Sequence, residues 1–163
     1  MPLRSDWSDE FCPIRRSLDV VGDPWVLLII RDALHGRGRF DALRDNLRIS
    51  EAVLSRRLNA MVDAGLLARV DYRDGARTRQ GYAATESAAE LLPVLQQLAV
   101  WGERHTAMPA GGGHMAMLHE CGSETSQGEL CSACGETLRP EAMTWVKPWK
   151  HASDELQPAG TLL

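Results

Sequence analysis

The segment SEAVLSRRLNAMVDAG, residues 50–65, carries the clearest structural pattern of this 163-residue chain. A serine suited to a helix N-cap opens the segment, apolar residues follow at helical spacing, and a glycine suited to a helix C-terminus closes it. The pattern predicts a helix from Ser50 to Ala64. A shorter amphipathic helix is predicted at 40–47, two residues upstream. Two helices joined by so tight a connection are typical of the helix-turn-helix motif.

The polar face of the predicted 50–64 helix has the composition of a DNA-binding surface. Its apolar residues Leu54, Leu58 and Met61 are expected to face the core, which turns the polar residues outward. Arginine binds guanine through two hydrogen bonds, asparagine binds adenine, and small residues let a helix enter the major groove. The residues expected to contact DNA from this helix are Ser50, Ala52, Ser55, Arg56, Arg57 and Asn59. Arginines that are merely solvated on the surface of a helix bundle are the alternative interpretation.

A β-hairpin is predicted directly after this helix. Residues 66–73 and 80–84 are strand-like, and the loop 74–79 between them contains glycine and is basic. Arginine side chains on such a hairpin are suited to contact phosphates or the minor groove. The candidates are Arg73, Arg77 and Arg79.

Further helices are predicted on both sides of the motif. Apolar residues at 14, 18 and 21 indicate a short amphipathic helix, and the apolar run 25–34 after Asp23 indicates a buried one. Downstream, Thr85 is expected to cap a long helix that Pro93 interrupts. The predicted fold is therefore mainly α with a small β-hairpin, in the α+β class.

Charge and composition favour a soluble DNA-binding protein over other classes. Residues 31–79 contain 11 arginines against 7 acidic residues, although the whole chain has a net charge of −4. No apolar run is long enough for a membrane span, and the acidic N-terminus does not resemble a signal peptide, so a cytoplasmic location is expected. The motifs of phosphate-binding loops, serine hydrolases and zinc proteases are absent from the sequence, which argues against an enzyme.

The chain is expected to divide at a glycine-rich tract. Residues 1–108 are predicted to form the DNA-binding and dimerisation domain, and 109–117 a linker. Residues 118–163, hereafter the C-terminal extension, contain three of the four cysteines.

The cysteines of the C-terminal extension have the spacing of a zinc site. Cys131 and Cys134 form a Cys-x2-Cys-Gly unit, and Cys121 precedes another glycine. With His119 they complete a Cys3His set, which suits tetrahedral zinc. His114 and Glu120 are the alternatives to His119 as the fourth ligand. The alternatives are three free thiols or a redox pair formed by Cys131 and Cys134.

Cys12 lies apart from this group, beside Pro13 at the start of the first predicted helix. A helix N-terminus and the nearby Arg15 and Arg16 favour the thiolate, which makes Cys12 a candidate redox residue. A buried, inert cysteine is the alternative.

Residues 11–105 resemble the HxlR-type winged-helix transcriptional regulators of bacteria. The resemblance rests on Cys12-Pro13, Gly22-Asp23-Pro24-Trp25, Arg39-Phe40 with Leu43, Ile49-Ser50, Leu54-Ser55-Arg56-Arg57-Leu58, Gly65-Leu66, Tyr82 with Thr85, and Leu95, Leu98 and Trp101-Gly102. It implies a winged helix-turn-helix domain in which the hairpin is the wing, and it adds Arg39 to the DNA-binding candidates. Some members of the family sense oxidants or electrophiles through a cysteine at the position of Cys12.

The resemblance also implies a homodimer on a two-fold symmetric operator in double-stranded DNA. The long final helix with the first helix would form the interface, through Leu91, Leu95, Leu98 and Trp101. This chain departs from the family pattern in the wing, where Arg77-Thr78-Arg79-Gln80-Gly81 replaces a proline-rich turn, and around Thr85, where Ala84 replaces leucine and Glu86-Ser87-Ala88 lacks the usual glycine. These changes affect the expected wing conformation and leave the expected fold in place.

Two classes of function remain open at this point. The first is a homodimeric, sequence-specific transcriptional regulator that responds to redox state or to a small molecule, which the sequence does not name. The second is a thiol- or zinc-dependent redox or interaction protein that uses the cysteines of the C-terminal extension.

Overall fold

The computed structural model describes residues 6–125, 128–150 and 152–163. The helices are α1 (Pro13–Val21), α2 (Pro24–Leu34), α3 (Phe40–Leu47), α4 (Glu51–Asp63), α5 (Glu86–Ala89) and α6 (Leu92–His105). The strands are β1 (Leu67–Asp74), β2 (Arg77–Ala84), β3 (Ala116–His119), β4 (Met143–Lys147) and β5 (Ala152–Glu155), and short 3₁₀ turns lie at Pro140–Ala142 and Pro148–Lys150. The predicted fold class, mainly α with a small β-hairpin, is confirmed.

Helix α2 lies at the centre of the N-terminal part. Asp23 caps it by accepting a hydrogen bond from the backbone N–H of Trp25 at 3.0 Å, and Pro24 occupies its first turn. Ile29 and Ile30 are completely buried. This agrees with the prediction of a buried helix made from its apolar composition.

The helix-turn-helix forms as predicted from α3 and α4. Ser50 caps α4 through a hydrogen bond from the backbone N–H of Val53 at 3.4 Å, and Gly65 follows the helix with a φ of +72°. In the turn, Arg48 has the left-handed conformation with a φ of +52°, and Ile49 is buried. A single left-handed residue is enough to end a helix, which is why Arg48 adopts this uncommon backbone conformation at the end of α3.

The hairpin is longer than predicted. Strands β1 and β2 pair antiparallel from Leu67↔Ala84 to Asp74↔Arg77, so the turn is only the two residues Gly75 and Ala76. Gly75 has a φ of +61°, which a two-residue hairpin turn requires. The predicted six-residue loop at 74–79 is therefore wrong, because this tight turn extends strand pairing across residues 77–79.

The predicted long helix is interrupted before Pro93. Thr85 caps the short α5 by accepting a hydrogen bond from the backbone N–H of Ala88 at 3.4 Å. Helix α6 then starts at Leu92 with Pro93 in its first turn, where the missing N–H group of proline costs no helical hydrogen bond.

The C-terminal extension packs on the helical part together with Ala116 and Met117, which belong to the predicted linker and form the start of β3. Strands β3, β4 and β5 form an antiparallel sheet with β4 in the centre. Met117, Met143, Trp145 and Leu156 join the same hydrophobic core as α2 and α4. The division into a domain, a linker and an extension stays a prediction, and the two parts share one core. Among the described residues, no helix is long and apolar enough to cross a membrane.

Candidate nucleic-acid interface and metal centre

Helix α4 places one face in the core and the other in solvent. Leu54 and Leu58 are completely buried, whereas Ala52, Arg56 and Asn59 are exposed. Ser50 is exposed at the N-cap, and Ser55 is half-buried on the flank. This exposed face has the shape and polarity of a helix that enters the major groove.

Arg57 is not part of this exposed face. Its guanidinium forms an ion pair with Asp23 at the start of α2, and its side chain is only 22% exposed. The structure therefore separates Arg57 from Arg56, although they are adjacent in sequence. A helix rotates by about 100° per residue, so neighbours point in different directions.

Two arginines outside α4 connect the helix-turn-helix to the hairpin, one through α4 and the other at the start of α3. Arg69 of β1 donates a hydrogen bond to the side-chain oxygen of Asn59 at 2.8 Å. The guanidinium of Arg39 lies 4.6 Å from the centre of the Tyr72 ring, a cation–π arrangement. Arg69 was not predicted from the sequence, and its only sequence signal was its position in a basic strand.

The hairpin presents Arg73, Arg77 and Arg79 to solvent. Arg79 forms an ion pair with Asp74 at 2.9 Å and approaches Asp41 at 3.9 Å. Within the described ranges, Arg73 and Arg77 form no ion pair. Of the three hairpin arginines predicted to contact DNA, Arg73 and Arg77 are thus the ones whose charge is least compensated.

An arginine that the sequence analysis did not single out organises the two helices of the motif. Arg44 in α3 binds Asp45 at 2.9 Å and Glu51 of α4 at 2.8 Å, and Asp41 lies at 3.4 Å. The hydrogen bonds that Arg44 donates to the carboxylates of Asp45 and Glu51 raise the pKa of its guanidinium. Arg44 therefore holds α3 against the N-terminus of α4.

The residues predicted to form a dimer interface fall into two groups. Leu95 is buried in the protomer core and Leu91 is half-buried against it. Leu98 and Trp101 are 48% and 58% exposed. Helix α1 has no buried residue, and its Ile14 is 69% exposed. Both α6 and α1 thus leave apolar side chains open to solvent.

Cys12 is exposed at the N-cap of α1. Hydrogen bonds from the backbone N–H groups of Arg15 and Ile14 lower the pKa of its thiol, and the charges of Arg15 and Arg16 add to this effect. The thiol has the environment of a reactive cysteine.

The predicted metal ligands converge in the C-terminal extension. One ligand atom from each of His119, Cys121, Cys131 and Cys134 lies within 4.8 Å of all the others. The Sγ atoms of Cys121 and Cys131 are 3.7 Å apart, and the Cys134 Sγ is 3.5 Å from the His119 Nδ1. These four residues can bind a metal ion.

The 3.7 Å between the two sulfurs and the 3.5 Å between sulfur and nitrogen match the spacing of neighbouring ligands in a tetrahedral zinc centre. Zinc–sulfur bonds of about 2.3 Å and zinc–nitrogen bonds of about 2.0–2.1 Å place neighbouring ligands about 3.8 Å apart for two sulfurs and about 3.6 Å apart for sulfur and nitrogen. A disulfide would instead need sulfurs about 2.05 Å apart. The donor set and its spacing therefore fit zinc.

Two tight turns hold the ligands. The N–H of Gly135 donates to the carbonyl of Cys131 at 2.8 Å, and the N–H of Gly122 donates to the carbonyl of His119 at 2.8 Å. Both glycines have positive φ angles, 79° and 85°, which residues with a Cβ rarely adopt. Each ligand pair is thus closed by a glycine, as the sequence pattern predicted.

The centre has a buried side and an exposed side. His119 and Cys131 are buried, whereas Cys121 and Cys134 are exposed. A hydrogen bond with His119 lowers the pKa of Cys121 to about 6, with further hydrogen bonds from Ser123. A thiol with this pKa is mostly thiolate at neutral pH, which is the form that binds metal.

Comparison with known proteins gives a consistent family assignment. A model of the HxlR-like helix-turn-helix family matches residues 20–109. The uncharacterized HTH-type transcriptional regulator Rv3095 of Mycobacterium tuberculosis is 34% identical over 131 residues, which cover 80% of this chain and 82% of that protein. YdeP of Bacillus subtilis, also described as an HTH-type transcriptional regulator, is 28% identical over 60% of this chain and 78% of its own length.

Solved structures of similar proteins have the same fold. PA1607, described as a candidate transcription factor, has a TM-score of 0.67 at 28% identity and covers 82% of this chain and 93% of its own. The redox regulator HypR in its oxidised form has a TM-score of 0.54 at 26% identity and covers 60% of this chain and all of its own. Because the family model spans more than half of the chain and Rv3095 is more than 30% identical over four fifths of it, this protein belongs to the HxlR-like helix-turn-helix family of transcriptional regulators.

Proposed function

We propose that this transcriptional regulator binds double-stranded DNA in a sequence-specific manner, as a homodimer on a two-fold symmetric operator in the cytoplasm. The observation that carries the proposal is the exposed polar face of α4, with Arg56 and Asn59 opposite the buried Leu54 and Leu58. An arginine or asparagine on such a face can form paired hydrogen bonds with a base.

The hairpin supports the same orientation on DNA. Arg39, Arg73 and Arg77 are exposed on or beside β1 and β2, where they can contact phosphates or the minor groove while α4 lies in the major groove. Such contacts orient the protein and add affinity for any sequence, whereas the contacts of α4 with bases add specificity.

The open apolar surface of α1 and α6 supports a homodimer. Ile14, Leu98 and Trp101 are exposed in the protomer, and burying them against a second copy removes apolar area from water. One recognition helix contacts few base pairs, so a second one in a neighbouring major groove is needed for regulatory specificity.

The test uses the DNA next to the protein's own gene as the first probe. In a gel-shift titration, Arg56→Ala is expected to lower the affinity by about 5- to 150-fold and to relax the preference for one base pair, since a bidentate contact contributes about 1–3 kcal/mol. Arg139→Ala is the matched control, because Arg139 is an exposed arginine of the C-terminal extension. Unchanged affinity and preference in Arg56→Ala would show that α4 does not lie in the major groove as proposed.

We further propose that the Cys3His centre binds zinc. The convergence of its four ligand atoms within 4.8 Å supports zinc over a Cys131–Cys134 redox pair, because a redox pair needs neither Cys121 nor His119. One zinc per chain is expected from elemental analysis of the purified protein, and Cys131→Ser is expected to lose it. Cys12→Ser serves as the control and is expected to keep the zinc. A wild-type protein that retains no zinc after loading and buffer exchange would contradict the proposal.

Cys12 is the candidate for a redox response. Its exposed thiol lies at a helix N-terminus beside the apolar surface of α1, so an adduct there would alter the proposed dimer interface. HypR, a redox regulator, has the same fold. Mild peroxide treatment followed by mass spectrometry and DNA titration tests this role, and modified Cys12 with unchanged DNA affinity would exclude it.

A further inference from the structure

The C-terminal extension holds the loop that leads into the helix-turn-helix. This loop, residues 35–39, connects α2 to α3 and is hereafter the α2–α3 loop. The backbone N–H of Gln157 donates to the carbonyl of Leu34 at 2.6 Å, and the N–H of Leu163 donates to the carbonyl of Gly36 at 2.9 Å. The extension therefore forms hydrogen bonds with the backbone of Leu34 and Gly36, the residues on either side of His35.

A buried polar cluster joins the extension to His35, the first residue of the loop. The His35 Nδ1 lies 2.7 Å from the carbonyl of Arg31 and must donate to it, since a carbonyl only accepts. The His35 Nε2 then accepts from Lys147 of β4 at 2.9 Å. Lys147 is 6% exposed and also donates to Asp154 of β5 at 3.1 Å.

Asp154 extends this cluster along the loop. It accepts a second hydrogen bond from Arg37 at 2.7 Å. A lysine buried in this way keeps its charge only while its partners stay in place. The positions of β4 and β5 therefore determine the conformation of His35 and Arg37.

Two glycines, Gly38 and Gly81, leave room for the extension to pack on the hairpin as well. A Cβ placed on Gly81 of β2 would lie 2.6 Å from the Leu162 side chain, and one placed on Gly38 would lie 3.2 Å from it. The N–H of Tyr82 donates to the carbonyl of Gly38 at 2.9 Å. Leu162 thus covers the point where the α2–α3 loop meets the wing.

Strand β4 connects these contacts to the metal centre. Its first residue, Met143, pairs with the metal ligand His119. Its buried residues alternate, so Met143, Trp145 and Lys147 face the same side. The Trp145 ring packs edge-to-face on His35 with 5.3 Å between ring centres. One short strand therefore runs from the metal centre to the α2–α3 loop.

Whether β4 is structurally ordered depends on the packing and the cross-links that stabilise its sheet. Strands β3, β4 and β5 have only four or five residues each, and a sheet of such short strands is stable only through packing or cross-links. A metal bound by the four ligands would cross-link the two tight turns, at Gly122 and Gly135, to each other and to the end of β3. Since Cys121 and Cys134 are exposed, the centre is reachable from solvent.

We propose that zinc is an effector of this protein: its binding at the Cys3His centre orders β4, and β4 fixes the α2–α3 loop in the conformation that binds DNA. The inference rests on the proposed DNA-binding function and adds the regulating ligand and its route. Loss of zinc frees Lys147 and Leu162 from the α2–α3 loop. The loop then no longer holds α3 and the hairpin in a single orientation relative to each other.

The experiment compares full-length protein loaded with zinc chloride and the same protein stripped with EDTA and kept reduced. Hydrogen exchange is measured at the amides of Arg37 and Tyr82, which lie outside the extension. Both are expected to exchange about tenfold faster or more without zinc, and the affinity for the DNA next to the protein's own gene is expected to fall by about tenfold or more.

Lys147→Met and Lys150→Met form a matched pair of variants. Methionine keeps the apolar stem of Lys147 but removes its hydrogen bonds to His35 and Asp154, so zinc still binds while its effect on Arg37 and Tyr82 is lost. Lys150 is exposed, and within the part of the chain that the structure describes its side chain bonds to Asn46 alone, at 3.3 Å. Its variant is therefore expected to respond to zinc like the wild type. Leu162→Ser is a second variant that removes a contact of the extension with the α2–α3 loop, for use if Lys147→Met fails to fold.

The outcomes separate this inference from the proposed function. Identical exchange and DNA affinity with and without zinc would overturn the inference while DNA binding stands. A full zinc response in both Lys147→Met and Leu162→Ser would overturn the route through β4. Zinc-dependent exchange in a protein that binds no DNA under either condition would overturn the proposed function and, with it, zinc as an effector of DNA binding.

Discussion

Replacing Asp154 with asparagine is expected to destabilise the folded protein by about 3 kcal/mol, because it leaves a buried ammonium group without its counter-charge. Asp154 is 12% exposed and binds both Lys147 and Arg37. The Arg37 side chain is 42% exposed, so loss of that ion pair costs less than about 1 kcal/mol. Most of the effect therefore comes from Lys147, which no other carboxylate among the described residues contacts.

The loss of stability is expected to depend on pH. Burial lowers the pKa of Lys147, and the hydrogen bond and charge of Asp154 oppose this shift. Without Asp154, the charges of Arg31 and Arg37 act unopposed and the pKa falls further. A lysine with a lower pKa in the folded state binds fewer protons when folded, so stability increases as the pH rises through that folded-state pKa. The variant is therefore expected to recover part of its stability at alkaline pH.

The assay is urea unfolding of the zinc-loaded proteins, followed by tryptophan fluorescence at about pH 7 and at about pH 9.5. The matched control is Glu155→Gln, since Glu155 is the exposed next residue of β5 and its removal should change the free energy of unfolding by less than about 0.5 kcal/mol. For a chain of this length, the loss in Asp154→Asn corresponds to a melting temperature lower by about 6–12 °C. A loss below about 1 kcal/mol, or one that grows at alkaline pH, would refute the reasoning.

Three further predictions concern DNA binding, assembly and thiol reactivity. Arg77→Ala is expected to weaken binding to all sequences alike and to reduce the slope of log affinity against log salt by about one, in anisotropy titrations over a salt series. Arg79→Ala should have a smaller effect because Asp74 already pairs with Arg79. Equal effects of the two substitutions would contradict this ranking. Trp101→Glu is expected to convert the proposed dimer into a monomer in light scattering at micromolar concentration, since it places a charge in the apolar surface of α6. A variant that stays dimeric would place the interface elsewhere. In zinc-loaded protein, Cys12 is expected to react with iodoacetamide before Cys121 does, as measured by mass spectrometry, because the metal shields the other thiolate; the reverse order would argue against a metal at the centre.

Much of the helix-turn-helix could be predicted because its determinants are local. The N-cap Ser50, the apolar spacing of α4 and the stop at Gly65 lie within one segment of the chain and act through neighbouring backbone groups. The cysteine ligands were predictable for the same reason, since each pair lies on one tight turn. The length of the hairpin was not, because Arg77 enters the strand only through its pairing with Asp74.

The sequence by itself determined the class of fold, the exposed face of α4 and the four residues of the proposed metal centre, since periodicity, caps and cysteine spacing are properties of short stretches. Only the tertiary structure decided that Arg57 binds Asp23 instead of joining Arg56, that Leu95 lies in the protomer core, and that residues after Pro148 pack on the helical part. The hydrogen bond between His35 and Lys147 joins residues 112 positions apart. Such contacts leave no recognisable pattern in the sequence around either residue, because the role of each side chain depends on the burial and charge of a partner that only folding brings near.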